Sequence, residues 1–118
     1  KTKKNKIVEL WGTGKPLREV LYVDEVADAC EFFLRKKIRK TIINIGSNTE
    51  MTIKDYGDFI KKKIDPEVFI KFNNDKKLDG VMRKKLNTSL ANQYGWKSKM
   101  NFSKVVDKII EDFKDSQK

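Results

Sequence analysis

The apolar positions change period several times along the chain. Ile7, Val8, Leu10 and Trp11 form a short apolar run that stops at Gly12-Thr13-Gly14-Lys15-Pro16, residue types that punctuate secondary structure. Val20, Leu21, Tyr22 and Val23 form a second run, β-branched and aromatic, so strands are predicted over 7–11 and 17–23. Asp24 then stands where a helix N-cap belongs. Val26, Ala29, Cys30, Phe33 and Leu34 recur at helical spacing. A helix is therefore predicted to about Lys37, with Arg35, Lys36 and Lys37 at the end where carbonyl dipoles favour cations.

Thr41 to Ile45 reads as a third strand of the buried type, and Gly46-Ser47-Asn48 as a turn. Thr52 followed by Asp55 is a capping-box variant opening a second helix, with apolar positions at Ile53, Tyr56, Ile60 and Ile64. Gly57 costs that helix about 1 kcal/mol relative to Ala, which suggests a close approach by a neighbour. Pro66 restarts the chain, and Val68 to Phe72 alternates as a strand does. Asn73 to Lys85 reads as a polar, basic loop. Thr88 or Ser89 caps a short helix that Gly95 stops, and Asn101 caps a last one, with Met100 placed to staple onto Val105. Phe102, Val105, Val106, Ile109, Ile110 and Phe113 are its apolar face. The order β-β-α-β-α-β-α-α predicts an α/β fold of short strands and about four helices, with parallel crossovers.

With 118 residues, one small domain over 1–118 is expected. The chain opens on Lys1 and a polar lead-in to Lys6, and reads as a piece of a longer protein. Its 27 basic residues against 17 acidic ones leave a net charge of +10, spread along the chain. Such an excess attracts anions, nucleotides and nucleic acids alike, or is simply solvated. Cys30 is the only cysteine, so no internal disulfide forms; on the apolar stripe it is expected to pack rather than react. No apolar run approaches the length of a membrane span, and a cytoplasmic location is expected.

No complete catalytic site is found. There is no His, so neither a nucleophile–base pair of the usual kind nor a standard zinc site is expected, and no metal. Tyr22, Tyr56 and Tyr94 are followed four positions later by Val26, Ile60 and Ser98, so no Tyr-x-x-x-Lys pair is present. Gly12-Thr13-Gly14 lacks the third glycine of a dinucleotide fingerprint, having Leu17 there, and a strand follows in place of a helix. The glycines read as a tight turn. Arg18 leaves that turn on a strand, where its planar fork suits two oxygens of a diphosphate or a neighbouring carboxylate such as Glu19 or Asp24. The second cluster, Lys76 to Lys85, either closes over a phosphate or is solvated.

W-G-T-G-K-P-L-R-E-V-L-Y-V-D-E-V-A-D-A, from Trp11 onward, and K-L-D-G-V-M-R-K-K-L-N followed by Y-G-W, resemble two motifs of the GDP-L-fucose synthase family. These are extended short-chain dehydrogenase/reductases of the NAD-dependent epimerase/dehydratase class. Lys77, Asp79, Gly80, Arg83, Lys84, Gly95 and Trp96 match the second motif. The resemblance covers essentially the whole chain but only the C-terminal part of the family protein. It implies a small substrate-binding lobe without the Rossmann half. It further implies that Trp11 lines a GDP-sugar pocket and that Arg18 contacts the diphosphate or hexose. Asp79 would accept hydrogen bonds from hydroxyls of the nucleotide sugar, and Lys84 would add charge at the diphosphate. Arg83 and Lys77 are weaker candidates, and Leu10 would pack beside the ligand.

The full-length protein would use NADP to convert GDP-4-keto-6-deoxy-mannose to GDP-L-fucose, and would dimerise through helices outside this chain, which is itself expected to be monomeric. No catalytic or cofactor-binding residue is assigned here. Leu78 and Met82 replace family prolines, which loosens the loop, and Asn87 replaces an aspartate whose role is capping. The alternatives are the same lobe of another nucleotide-sugar epimerase or dehydratase, and a basic nucleic-acid-binding module. The second predicts oligonucleotide binding with steep salt dependence.

Overall fold

The structure is a computed structural model that describes residues 6–39 and 42–118. Most of the lead-in, and Thr41 of the predicted third strand, lie outside the described residues. Two units make up the chain: one from 1–18 and 51–84, the other from 19–50 and 85–118.

The first unit is built on two parallel strands, β1 (Ile7–Leu10) and β4 (Phe69–Phe72), in register Ile7 to Phe69 and Leu10 to Phe72. Side chains alternate across a strand. Leu10 and Ile70 therefore share the face on which helix α2 (Ile53–Ile64) lies, while Ile7 and Phe69 stay exposed. Gly57 permits the close approach: a Cβ there would sit 3.3 Å from Ile70 Cδ1 and 3.4 Å from Leu10 Cδ1. The predicted capping box forms, with Thr52 Oγ1 accepting from Asp55 N at 3.0 Å and Asp55 Oδ2 accepting from Thr52 N at 3.3 Å. Tyr56 is the buried residue of α2, and its hydroxyl donates to Arg18 O at 2.9 Å. Ile60 and Ile64, predicted on the buried face, are exposed.

A second sheet runs β3-β2-β5, where β2 is Leu17–Glu19, β3 is Glu50–Thr52 and β5 is Arg83–Lys84. The parallel crossovers predicted from the element order are present in both sheets. β2 stops at Glu19, four residues short of the predicted end, and β5 falls inside the stretch read as loop. The predicted strand at Thr41 to Ile45 has no ladder over its described residues. Ile43 and Ile45 instead pack on the core of the second unit while Ile42 and Asn44 face outward. The alternation of an extended segment is there without a partner strand.

The core of that unit is Ala29, Ala91 and Trp96, with Leu21, Phe32 and Phe33 packed against it. Helix α1 (Val23–Arg35) begins one residue before Asp24, and its N-cap is Tyr22. Asp24 thus sits in the first turn, near the positive end of the helix, rather than capping it. The buried stripe runs through Ala29, Phe32 and Phe33, one residue out of phase with the predicted one. Cys30 and Leu34 are consequently exposed, which corrects the expectation that Cys30 packs. Trp96 Nε1 donates to Asp28 Oδ2 at 2.9 Å. Helix α3 (Ser89–Gln93) is preceded by Asn87, whose Oδ1 accepts from Ser89 N at 3.0 Å and from Ser89 Oγ at 2.6 Å. The N-cap itself is Thr88, one of the two residues expected to cap this helix, but its side chain makes no cap bond, and Asn87 instead closes a turn onto Ser89 just ahead of the helix. Helix α4 (Phe102–Ser116) is capped by Asn101 as predicted and buries Val106, while Ile109 and Phe113 are exposed.

Candidate functional site

The predicted site residues all fall in the first unit, on two segments remote in sequence, 10–18 and 73–84. Hydrogen bonds join these segments along most of their length. Asn73 N donates to Leu10 O at 3.1 Å and Asn74 N to Gly12 O at 3.0 Å. Asn73 Oδ1 accepts from Gly12 N at 2.9 Å. Thr13 gives two hydrogen bonds to Asp79, N to Oδ1 and Oγ1 to Oδ2, each 2.7 Å. Further along, Leu17 N donates to Met82 O at 2.8 Å, and the parallel pairing of β2 with β5 begins.

The turn is also fixed from below. Ile53 N donates to Pro16 O at 3.0 Å and Lys54 N to Gly14 O at 2.9 Å. Two of the first amides of α2, which have no partner within their own helix, are satisfied by the turn. Gly12 and Gly14 have φ of 79° and 76°, a region that side chains disfavour. A Cβ at Gly12 would overlap Asp79 Oδ1, and one at Gly14 would lie 2.7 Å from the Phe72 ring. The space these glycines leave is filled by the chain's own side chains. No cradle for a dinucleotide pyrophosphate exists at this turn, so the residues present do not fit NADP there.

Arg18 and Lys84 are register partners in β2 and β5. Aligned residues of adjacent parallel strands project to the same face, with strands about 4.8 Å apart. Leu17 and Arg83, one position earlier, project to the other. The Arg18 guanidinium pairs with neither of the carboxylates considered from the sequence: Nη1 donates to Leu17 O at 2.8 Å and Nη2 to Asp79 O at 3.0 Å. Trp11, at the mouth of the turn, is 76% exposed, so its indole faces solvent. Leu10 points into the unit, against the Cα of Gly57. Lys77 is exposed on the 3-10 turn Lys76–Leu78, which Asp75 caps through Lys77 N.

Asp79, expected to accept from ligand hydroxyls, has both oxygens engaged by Thr13. These bonds, and then the nearby charges of Lys15 and Arg18, hold its carboxyl below the usual aspartate range. Sequence reasoning missed Thr13 and Asn73. Thr13 sits in the quoted motif, but the Asp79 carboxylate that it binds lies 66 positions away. Asn73 opens an Asn-Asn-Asp run, a composition that often binds its own backbone. The two residues standing where the family has prolines are held otherwise: Leu78 N donates to Asp75 O at 3.1 Å, and Met82 O takes the Leu17 amide.

The first unit is an α/β arrangement of short parallel strands with Arg18 and Lys84 as register partners and Trp11 exposed, and its solved structural neighbours are extended short-chain dehydrogenase/reductases. The NAD dependent epimerase/dehydratase family profile matches residues 1–46. GDP-L-fucose synthase 1 of Arabidopsis thaliana is 38% identical over 94 residues, covering 80% of this chain and 29% of that protein. Among solved structures, a GDP-6-OMe-4-keto-L-xylo-heptose reductase from C. jejuni superposes with a TM-score of 0.84 at 27% identity, over 94% of this chain and 34% of that one. A GDP-mannoheptose C4 reductase from Campylobacter jejuni, solved with NADP bound, gives 0.78 at 29% identity, over 92% and 35%. The chain is thus similar to a fragment of a GDP-L-fucose-synthase-like protein of the epimerase/dehydratase class. It spans about a third of the length of the relatives it matches.

Proposed function

We propose that this chain is the substrate-binding part of an NADP-dependent epimerase/reductase that converts GDP-4-keto-6-deoxy-mannose to GDP-L-fucose, and that its task is to hold the GDP-sugar. The observation that carries this reading is the pairing of Arg18 with Lys84 on one face of two parallel strands. A diphosphate carries about two negative charges. A planar fork and a point cation side by side match it, the first through geometry and the second through charge. Trp11, exposed in the same unit, supplies a flat apolar face for the nucleoside or hexose. Lys77 adds positive potential from its exposed turn, while Arg83 projects to the other face of β5 and Leu10 packs inside the unit. When bound elsewhere in the full-length protein, NADP supplies the hydride. The residues of this chain orient the sugar nucleotide and neutralise its phosphates.

Titration of the chain with GDP-mannose, NADPH and a short oligonucleotide, followed by NMR, tests this. GDP-mannose is expected to shift the Arg18, Lys84 and Trp11 signals to saturation while NADPH does not. Saturable shifts from NADPH alone would reverse the division of labour. Tight oligonucleotide binding with indifference to GDP-mannose would favour the basic-module reading.

A further inference from the structure

We propose that Asp79 is a positioning residue: by clasping Thr13 it aims Arg18 at the diphosphate, and it acts on the ligand through that guanidinium rather than by touching the sugar. The inference rests on the reading of this face as a GDP-sugar site.

Asp79 offers three acceptors, and each is used within the chain. Oδ1 and Oδ2 take the two Thr13 donors at 2.7 Å, and the main-chain oxygen takes Arg18 Nη2 at 3.0 Å. One residue therefore joins the turn to the guanidinium. The second support of Arg18 is Leu17 O at 2.8 Å, so two carbonyls fix the plane of the fork, and one of them belongs to Asp79. The carboxylate reaches the turn only because position 12 has no side chain, since a Cβ there would overlap Oδ1. If the clasp opens, the loop carrying the residue 79 carbonyl keeps its ties at Asn73, Asn74 and Met82 but loses the two nearest that carbonyl, and one of the fork's two supports is no longer held in place. A guanidinium has five N–H donors, and two are committed to these carbonyls. The clasp decides which way the others face.

The test uses the full chain with Asp79→Asn, Thr13→Val and Arg18→Met, and GDP and GDP-mannose as probes. Asp79→Asn keeps the shape but turns one acceptor into a donor. It is expected to weaken GDP and GDP-mannose equally, by about tenfold, the loss of one charge-assisted hydrogen bond. Thr13→Val should weaken both in the same way but less, and Asp79→Asn should add nothing on an Arg18→Met background. Without any ligand, the Arg18 Nη protons should be held in the wild type and rotationally averaged in Asp79→Asn. A loss confined to GDP-mannose, with GDP unaffected, overturns the proposal in favour of direct sugar contact. Unchanged Arg18 signals in Asp79→Asn overturn it as well. If the wild type binds neither probe, the nucleotide-sugar reading fails, and the ligand-free Arg18 signals alone decide the clasp. Should Asp79→Asn not fold, Thr13→Val carries the same readouts.

Discussion

Replacing Arg18 by Lys keeps the charge and discards the plane. The two carbonyls that orient the fork, Leu17 O and Asp79 O, cannot orient an ammonium on a flexible stem in the same way. Arg18→Lys is expected to weaken GDP-mannose binding by about tenfold, on the scale of one hydrogen bond to a charged group. An unchanged dissociation constant in calorimetry would show that only charge matters at this position. The Asp79 carboxyl offers a second measurement. Its pKa is lowered chiefly by the Thr13 backbone and hydroxyl donors. A depressed folded-state pKa means a contribution that is complete above the unfolded value, about 3.9, and is lost as pH falls through the folded one. The Thr13 amide shift should therefore hold steady down to about pH 4 and change only in more acid solution. A midpoint at or above the ordinary aspartate value would contradict the hydrogen bonds described.

Elements were legible in the sequence where a side chain closes on its own neighbourhood. The Thr52–Asp55 box and the Asn101 cap were visible because their partners lie three residues away. Thr52→Ala is expected to cost about 1 kcal/mol in a urea titration. Gly14→Ala should cost more, roughly 2 kcal/mol, because it adds a left-handed backbone penalty to an overlap with Phe72. Equal costs would mean that the turn relaxes. β5 was not legible, since two charged residues carry no apolar period, and its pairing with β2 depends on a segment more than sixty positions away. The phase of α1 was misread by one residue because Val26, Cys30 and Leu34 are apolar by type yet face outward. Composition cannot say which of two adjacent apolar stripes meets the core. In the candidate site, the charged residues were readable, whereas the Thr13–Asp79 bonds were not. Such a contact follows from how two loops meet, which no local pattern encodes.

At the scale of the whole molecule the charge of +10 is diffuse, so it attracts any anion, while the site is local. GDP-mannose affinity should fall only modestly between 50 and 200 mM salt, about threefold, because a few contacts hold it. An oligonucleotide held by many lysines would lose far more over the same range. Equal, steep slopes for both ligands would mean that the nucleotide is held by the general field and not by Arg18 and Lys84. Among the described residues no helix is long and apolar enough to cross a membrane.

The chain passes between its two units three times, after Arg18, Glu50 and Lys84. At the first passage Arg18 serves one unit. Glu19 serves the other, its carboxylate accepting from Asn48 N at 2.6 Å and Leu86 N at 3.0 Å. As consecutive residues of β2 they project to opposite faces. A one-residue insertion in this strand would exchange those faces: the acid would stand where the guanidinium is and the base would be turned toward two amide protons. This strand should therefore accept substitutions more readily than any change of length.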